Sequence, residues 1–86
     1  MSYVIQILDD GFNYGRYVKR YDPDYMGGRG RVWSSAEPKD AIQFGSFLEA
    51  TEFWRQPSKV KPLREDGKPN RPLTAFTVTI VDWEKV

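Results

Sequence analysis

The chain is expected to fold as one small α+β domain, an antiparallel β-sheet of three to four strands with helices packed on one face. Three observations carry that expectation. β-Branched, apolar segments with period-two alternation stand near both ends, at "YVIQIL" and "FTVTIV". A helical stripe with its own capping signal lies between them, at "SFLEATEFW". The element order is β-β-(β)-α-α-β, and strands grouped apart from helices favour an antiparallel sheet over a βαβ repeat.

The elements follow in chain order. Residues 3–8 form the first strand, with Tyr3, Ile5 and Ile7 on one face and Val4, Gln6 and Leu8 on the other. The acidic turn "DDG" ends it, and Gly11, Asn13 and Gly15 supply positive φ for a hairpin connection. Residues 16–21, "RYVKRY", alternate again, with Tyr17, Lys19 and Tyr21 opposite Arg16, Val18 and Arg20. "RVWSS" provides a short third strand. Ser35 and Pro38 then suit the cap and first turn of a short helix over "PKDAIQF". Gly45 breaks that helix, and Ser46 with Glu49 forms a capping box for a second one that runs to about residue 56, where Pro57 stops it. Phe47, Ala50, Phe53 and Trp54 share its core-facing stripe. Residues 57–72, with four prolines, a "DG" turn and five basic residues, form an irregular, extended surface loop, either functional or partly mobile. The last strand, within "LTAFTVTIVDW", places Phe76, Val78 and Ile80 on one face. Its mixed character suits a central strand lying beside the first, because these two are the most apolar.

The composition bounds the function. A chain of 86 residues holds one modest core, and 40% hydrophobic with 29% charged residues is the make-up of an ordinary folded domain. Cysteine and histidine are both absent, so thiolate metal sites, disulfides and the commonest general base are unavailable. Asp9–Asp10 and Asp22–Asp24 are the carboxylate pairs left for acid–base work, and a domain this small rarely builds the cleft that such chemistry needs. No enzyme activity, cofactor or metal is expected. The net charge is +1, too little for strong non-specific nucleic-acid binding, and it is not the charge of an acidic DNA mimic. No apolar run approaches the ~20 residues that span a bilayer, and "MSYVIQILDD" lacks the basic start of a signal peptide, so an intracellular place is expected.

One stretch, "YDPDYMGGRGRVW", concentrates unusual chemistry. As a calcium loop it would use Asp22, Asp24 and Gly27, but Met26 and Trp33 stand where ligands are required. "GGRGR" has glycines for a phosphate cradle yet lacks the Lys-Ser/Thr pair. The nucleic-acid reading has Lys19, Arg20, Arg29 and Arg31 flanking Tyr17, Tyr21, Tyr25 and Trp33, cations for phosphates and rings for unpaired bases. The plainer explanation is that tyrosines are common on half-buried strands and glycine-rich turns cover sheet ends. A second basic cluster, Lys59, Lys61, Arg64, Lys68 and Arg71, is either a solvated loop or a docking arm that contacts protein or phosphate. Residues 22–31 are expected to be an exposed connection, with Tyr25 and Met26 at the centre of a patch and flexible glycines letting Arg29 and Arg31 project. The candidate contact residues are therefore Tyr17, Lys19, Tyr21, Tyr25, Arg29, Arg31, Lys59, Lys61 and Arg64.

The layout of "YVIQI", "EPKDAIQFGSFLEATEFW" and "FTVTIV" in a cysteine-free chain resembles small proteins encoded by phages and prophages, notably the anti-CRISPR inhibitors. That resemblance implies a non-catalytic protein in the bacterial cytoplasm that blocks a CRISPR effector complex by protein–protein contact. No family residue carries over to a numbered position here. Two other classes stay open: a binder of single-stranded nucleic acid, and a structural protein that pairs with its own copy through an unpaired strand edge, so that monomer and homodimer are both allowed.

Overall fold

The sheet grows outward from its most apolar segment. In the computed structural model, which describes residues 2–9 and 14–85, β1 (Tyr3–Ile7) has Val4, Ile5 and Ile7 fully buried and is flanked on both sides. Its neighbours are β2 (Tyr17–Asp22) and β4 (Val78–Asp82), while β3 (Arg31–Ser35) pairs with β2, giving an antiparallel sheet in the order β3-β2-β1-β4. The α+β class and the pairing of the first and last strands are as the sequence predicts. β4 is nevertheless an edge strand, not a central one, and it is short. The segment before it, Pro72–Ala75, turns as a 3-10 helix because Pro72 has no N–H to give a ladder.

Between β1 and β2, Ile7 donates its N–H to Arg16 O at 2.8 Å and Gly15 donates to Ile7 O at 2.7 Å, closing the expected hairpin. Gly15 takes the positive φ of 77° assigned to it. The turn readings for Gly11 and Asn13 lie outside the described residues, as does Asp10.

β2 does not alternate throughout. Val18 pairs with Ser34 but Arg20 pairs with Trp33, so Lys19 is an extra residue in a β-bulge. The bulge shifts the side-chain parity. Val18 and Tyr21 both pack on the core, with Ile5, Ile7, Ala50 and Val32, while Arg20 faces the opposite way beside Trp33.

The helix expected over residues 38–44 does not form. Pro38–Asp40 makes only a 3-10 turn, with Ser35 Oγ accepting from Glu37 N and donating to Asp40 Oδ2 in place of a helix cap. The chain then runs extended. Ile42 donates to Val18 O at 3.1 Å, and Tyr3 and Phe44 exchange two backbone bonds of 2.9 Å. This segment thus bridges β1 and β2 and places Ile42 and Phe44 on the core, which binds its backbone better than a single exposed helical turn could.

α2 (Phe47–Trp54) starts as predicted, with Ser46 Oγ accepting from Glu49 N at 3.1 Å. The reciprocal bond is displaced by one residue, since Glu49 Oε2 accepts from Gly45 N. Ala50 is fully buried, and its small side chain lets α2 approach the sheet closely. Phe53 lies 5.1 Å from Phe44 and 5.6 Å from Tyr21, ring centroid to centroid. Phe47 departs from the expected stripe. It is 58% exposed and stands T-shaped to the Tyr3 ring, outside the core cluster, so the core-facing stripe is narrower than the spacing implied. No helix among the described residues is long and apolar enough to cross a membrane.

Candidate functional site

Two long connections that are far apart in sequence form one unit beside the sheet. The first contains α1 (Tyr25–Gly28), a single turn in which Met26 (φ 53°) and Gly27 (φ 71°) are left-handed. The second is the loop of residues 57–72. Asp24 joins them. Its Oδ1 accepts from Ser58 Oγ at 2.9 Å, Lys59 N at 2.7 Å and Val60 N at 3.2 Å. Asn70 is the second joint, donating from Nδ2 to Gly28 O at 2.7 Å and to Lys61 O at 2.9 Å. Ser58, only 1% exposed, also donates its N–H to Asn70 O and accepts from Lys61 N.

The glycines at 28 and 30 are therefore not there to loosen the chain, as the sequence suggested. Both have positive φ, 104° and 78°, and an added Cβ would run into Lys61 and Asn70 at Gly28 and into Pro72 at Gly30. They permit a close approach between two backbones. The expected "DG" turn is the tip of a small hairpin in the second loop, with Gly67 at φ 82° and Arg64 N donating to Lys68 O at 2.8 Å.

Asp24 is the charged hub of this unit. The Lys59 and Val60 amides, the Ser58 hydroxyl and the Lys59 charge hold its carboxyl below the usual 3.8, and partial desolvation opposes them. The Asp24 contribution to loop docking should therefore be fully present above about pH 4 and be lost as pH falls through the lowered folded-state value. Hydrogen exchange of the Lys59 and Val60 amides across acid pH checks this. Asp24→Asn should remove the pH dependence, and unchanged protection in Asp24→Ala would contradict the role of the carboxylate.

The second feature is on the sheet face turned away from α2. The Arg20 and Arg31 guanidinium carbons lie 4.7 and 4.8 Å from the centroid of the Trp33 ring. Arg31 also reaches Tyr25, donating to its hydroxyl at 3.2 Å, and the Tyr25 ring meets Trp33 edge-on at 6.2 Å. Among the described residues, neither Arg20 nor Arg31 has a carboxylate within ion-pair distance.

The nine candidate contact residues are distributed accordingly. Tyr25 and Arg31 belong to the Trp33 cluster, with Tyr17 on the same face beside Gln6 and Lys19 exposed on the bulge. Arg29, Lys61 and Arg64 line a recess between the two docked loops, together with Met26, Glu65 and Asp66. Lys59 is exposed, but its backbone N–H is bound to Asp24. Tyr21 is not on the open face. Its hydroxyl accepts from Leu73 N at 3.1 Å and donates to Gln56 O at 3.4 Å, and desolvation by burial pushes its pKa up despite the Leu73 bond. Arg20 and Trp33, which the sequence placed only as flanking residues, are the centre of the cluster. The bulge that aligns them has no sequence signal in "VKR".

The described residues present no metal cage. Asp22 Oδ1 accepts from Asp24 N in a local turn, and no group of three or more carboxylates gathers among the described residues. Asp9, the described half of the other carboxylate pair, accepts from Thr77 N at 2.7 Å. Compared with protein-family models, curated proteins and solved structures, the chain finds no match.

Proposed function

We propose that this chain is a non-catalytic binding protein that docks on an acidic face of a protein partner, and that the partner is a bacterial defence assembly of the CRISPR effector kind, blocked sterically. The observation that carries the binding role is the Arg20–Trp33–Arg31 cluster. Two guanidinium groups held over one indole ring, with no carboxylate at ion-pair distance among the described residues, offer rigid forks for partner carboxylates. Arginine and aromatic side chains gathered on an open surface are also the usual anchors of contact surfaces. The inhibitor class rests on the phage-like layout of the sequence alone.

The test pairs affinity with stability. Pull-down against effector complexes, together with a phage-interference assay in cells expressing the protein, should show capture and loss of interference. Arg20→Glu with Arg31→Glu should weaken capture by about 2 kcal/mol or more, roughly thirtyfold, because like charges then face each other. Fold stability should fall by only about 1 kcal/mol, the worth of exposed cation–π contacts. No capture and unaltered interference would remove the inhibitor reading.

Binding of single-stranded nucleic acid is the second reading. Tyr17 favours it, a ring on the same open face that no guanidinium covers among the described residues. Titration of a labelled oligonucleotide at rising salt separates the two, since phosphate contacts weaken steeply with salt.

A further inference from the structure

The recess between the docked loops has a smaller lobe of ≈ 290 Å³, lined by Arg29, Arg64, Asn70, Arg71, Pro72 and Thr74. Its charged residues are all arginines. Glu65 and Asp66 line only the larger lobe of ≈ 560 Å³, beside Lys61. Among the described residues no carboxylate is within ion-pair distance of the three guanidinium groups. Gathering three cations without a counter-charge is unfavourable by itself.

A second observation points the same way. Arg71, which lines the lobe, has its Nε buried with no hydrogen-bond acceptor among the described residues. Buried donors are nearly always paired, and each exception calls for a physical cause. The Asn70 amide nitrogen and the Thr74 hydroxyl are already engaged. Asn70 donates both amide hydrogens across the walls, to Gly28 O and Lys61 O, and Thr74 Oγ1 donates to Arg71 O at 2.7 Å. Asn70 thus holds the two walls at a fixed separation, while the guanidinium groups of Arg29, Arg64 and Arg71 have no hydrogen-bond acceptor among the described residues.

We infer that this lobe is a phosphate-binding site, in which Arg29, Arg64 and Arg71 together hold one phosphoryl group. A tetrahedral dianion has more acceptor positions and more charge than a single carboxylate, and guanidinium forks match its edges. The site uses none of Arg20, Arg31 or Trp33, so it stands or falls apart from the protein-docking surface. The phosphoryl group belongs either to a free phosphorylated small molecule or to the end of a nucleic-acid strand.

The experiment follows backbone amide and arginine Nε–Hε NMR signals of the full chain at constant ionic strength. The probes are inorganic phosphate, tripolyphosphate, and one short oligonucleotide with and without a 5′-phosphate. The expected result is saturable binding of tripolyphosphate with the largest shift at Arg71 Nε–Hε, and binding at least tenfold weaker in Arg29→Ala with Arg64→Ala. Arg71→Lys, which keeps the charge but lacks Nε, should also weaken binding, and a preserved spectrum elsewhere certifies its fold. Tripolyphosphate binding with both oligonucleotides inert assigns a free phosphorylated ligand. A gain that depends on the 5′-phosphate assigns a strand end. Either outcome supports the site. Absence of saturation with every probe, or binding that the Arg29/Arg64 variant leaves intact, overturns it.

Discussion

Gly28→Ala is expected to destabilise the domain by about 2–4 kcal/mol, from left-handed strain and overpacking together. The backbone at Gly28 has φ 104°, and the new Cβ would stand 2.5 Å from Lys61 Cβ and 3.2 Å from both Asn70 Nδ2 and Ser58 Oγ. Relief requires the loops to part, which breaks the Asn70 bonds to Gly28 O and Lys61 O. For a domain this small the loss corresponds to a fall in melting temperature of about 10–25 °C. Gly27→Ala is the matched control. Gly27 is also left-handed, at φ 71°, but open space surrounds its Cβ direction, so only strain of about 1–2 kcal/mol applies. Thermal and urea unfolding of the two variants decide the matter. Equal effects would mean that residues 57–72 do not dock on α1.

Tyr21→Ala should cost about 3–5 kcal/mol, a large part of the 5–15 kcal/mol typical of a whole domain. The ring packs edge-on against Phe53 within the core cluster, and its hydroxyl bonds both Leu73 N and Gln56 O. Tyr21→Phe keeps the ring and isolates the hydroxyl, with an expected loss of about 1–3 kcal/mol from the orphaned Leu73 N–H. A contact residue on an open face would behave oppositely, with binding lost and stability kept. pH supplies an independent check. The Tyr21 pKa is raised above the ordinary 10.0, chiefly by desolvation. Its contribution is therefore intact below pH 10 and is lost as pH rises through the folded-state value. Tyr21→Phe should flatten that part of the alkaline stability profile. An unchanged profile would show that the hydroxyl already ionises as it does in the unfolded chain.

The fate of Tyr21 shows where reading the sequence stops. Perfect alternation over "RYVKRY" groups Tyr21 with Tyr17 and Lys19. One inserted residue at Lys19 reverses the parity, sending Tyr21 into the core and Arg20 to Trp33. Bulges arise from pairing with another strand, and "VKR" carries no local mark of one. The segment over residues 38–44 failed for a related reason. Its cap signals at Ser35 and Pro38 are used, but for a 3-10 turn, because Tyr3 and Val18 offer its backbone better partners. Local propensity is a weak prior against such long-range bonding.

The amino-acid sequence by itself determined the α+β class, the neighbouring first and last strands, the Ser46 cap of α2 and the absence of histidine or cysteine chemistry. These follow from periodicity, capping and inventory, which are properties of residues close together in the chain. Only the tertiary structure decided that residues 22–31 and 57–72 are one unit, and that Arg20 and Trp33 lie at the centre of the exposed cluster. Asp24 meets Ser58 across 34 positions, and Asn70 meets Gly28 across 42. Contacts at such separations leave no periodic trace, because each depends on where the intervening sheet and helix place two loop ends.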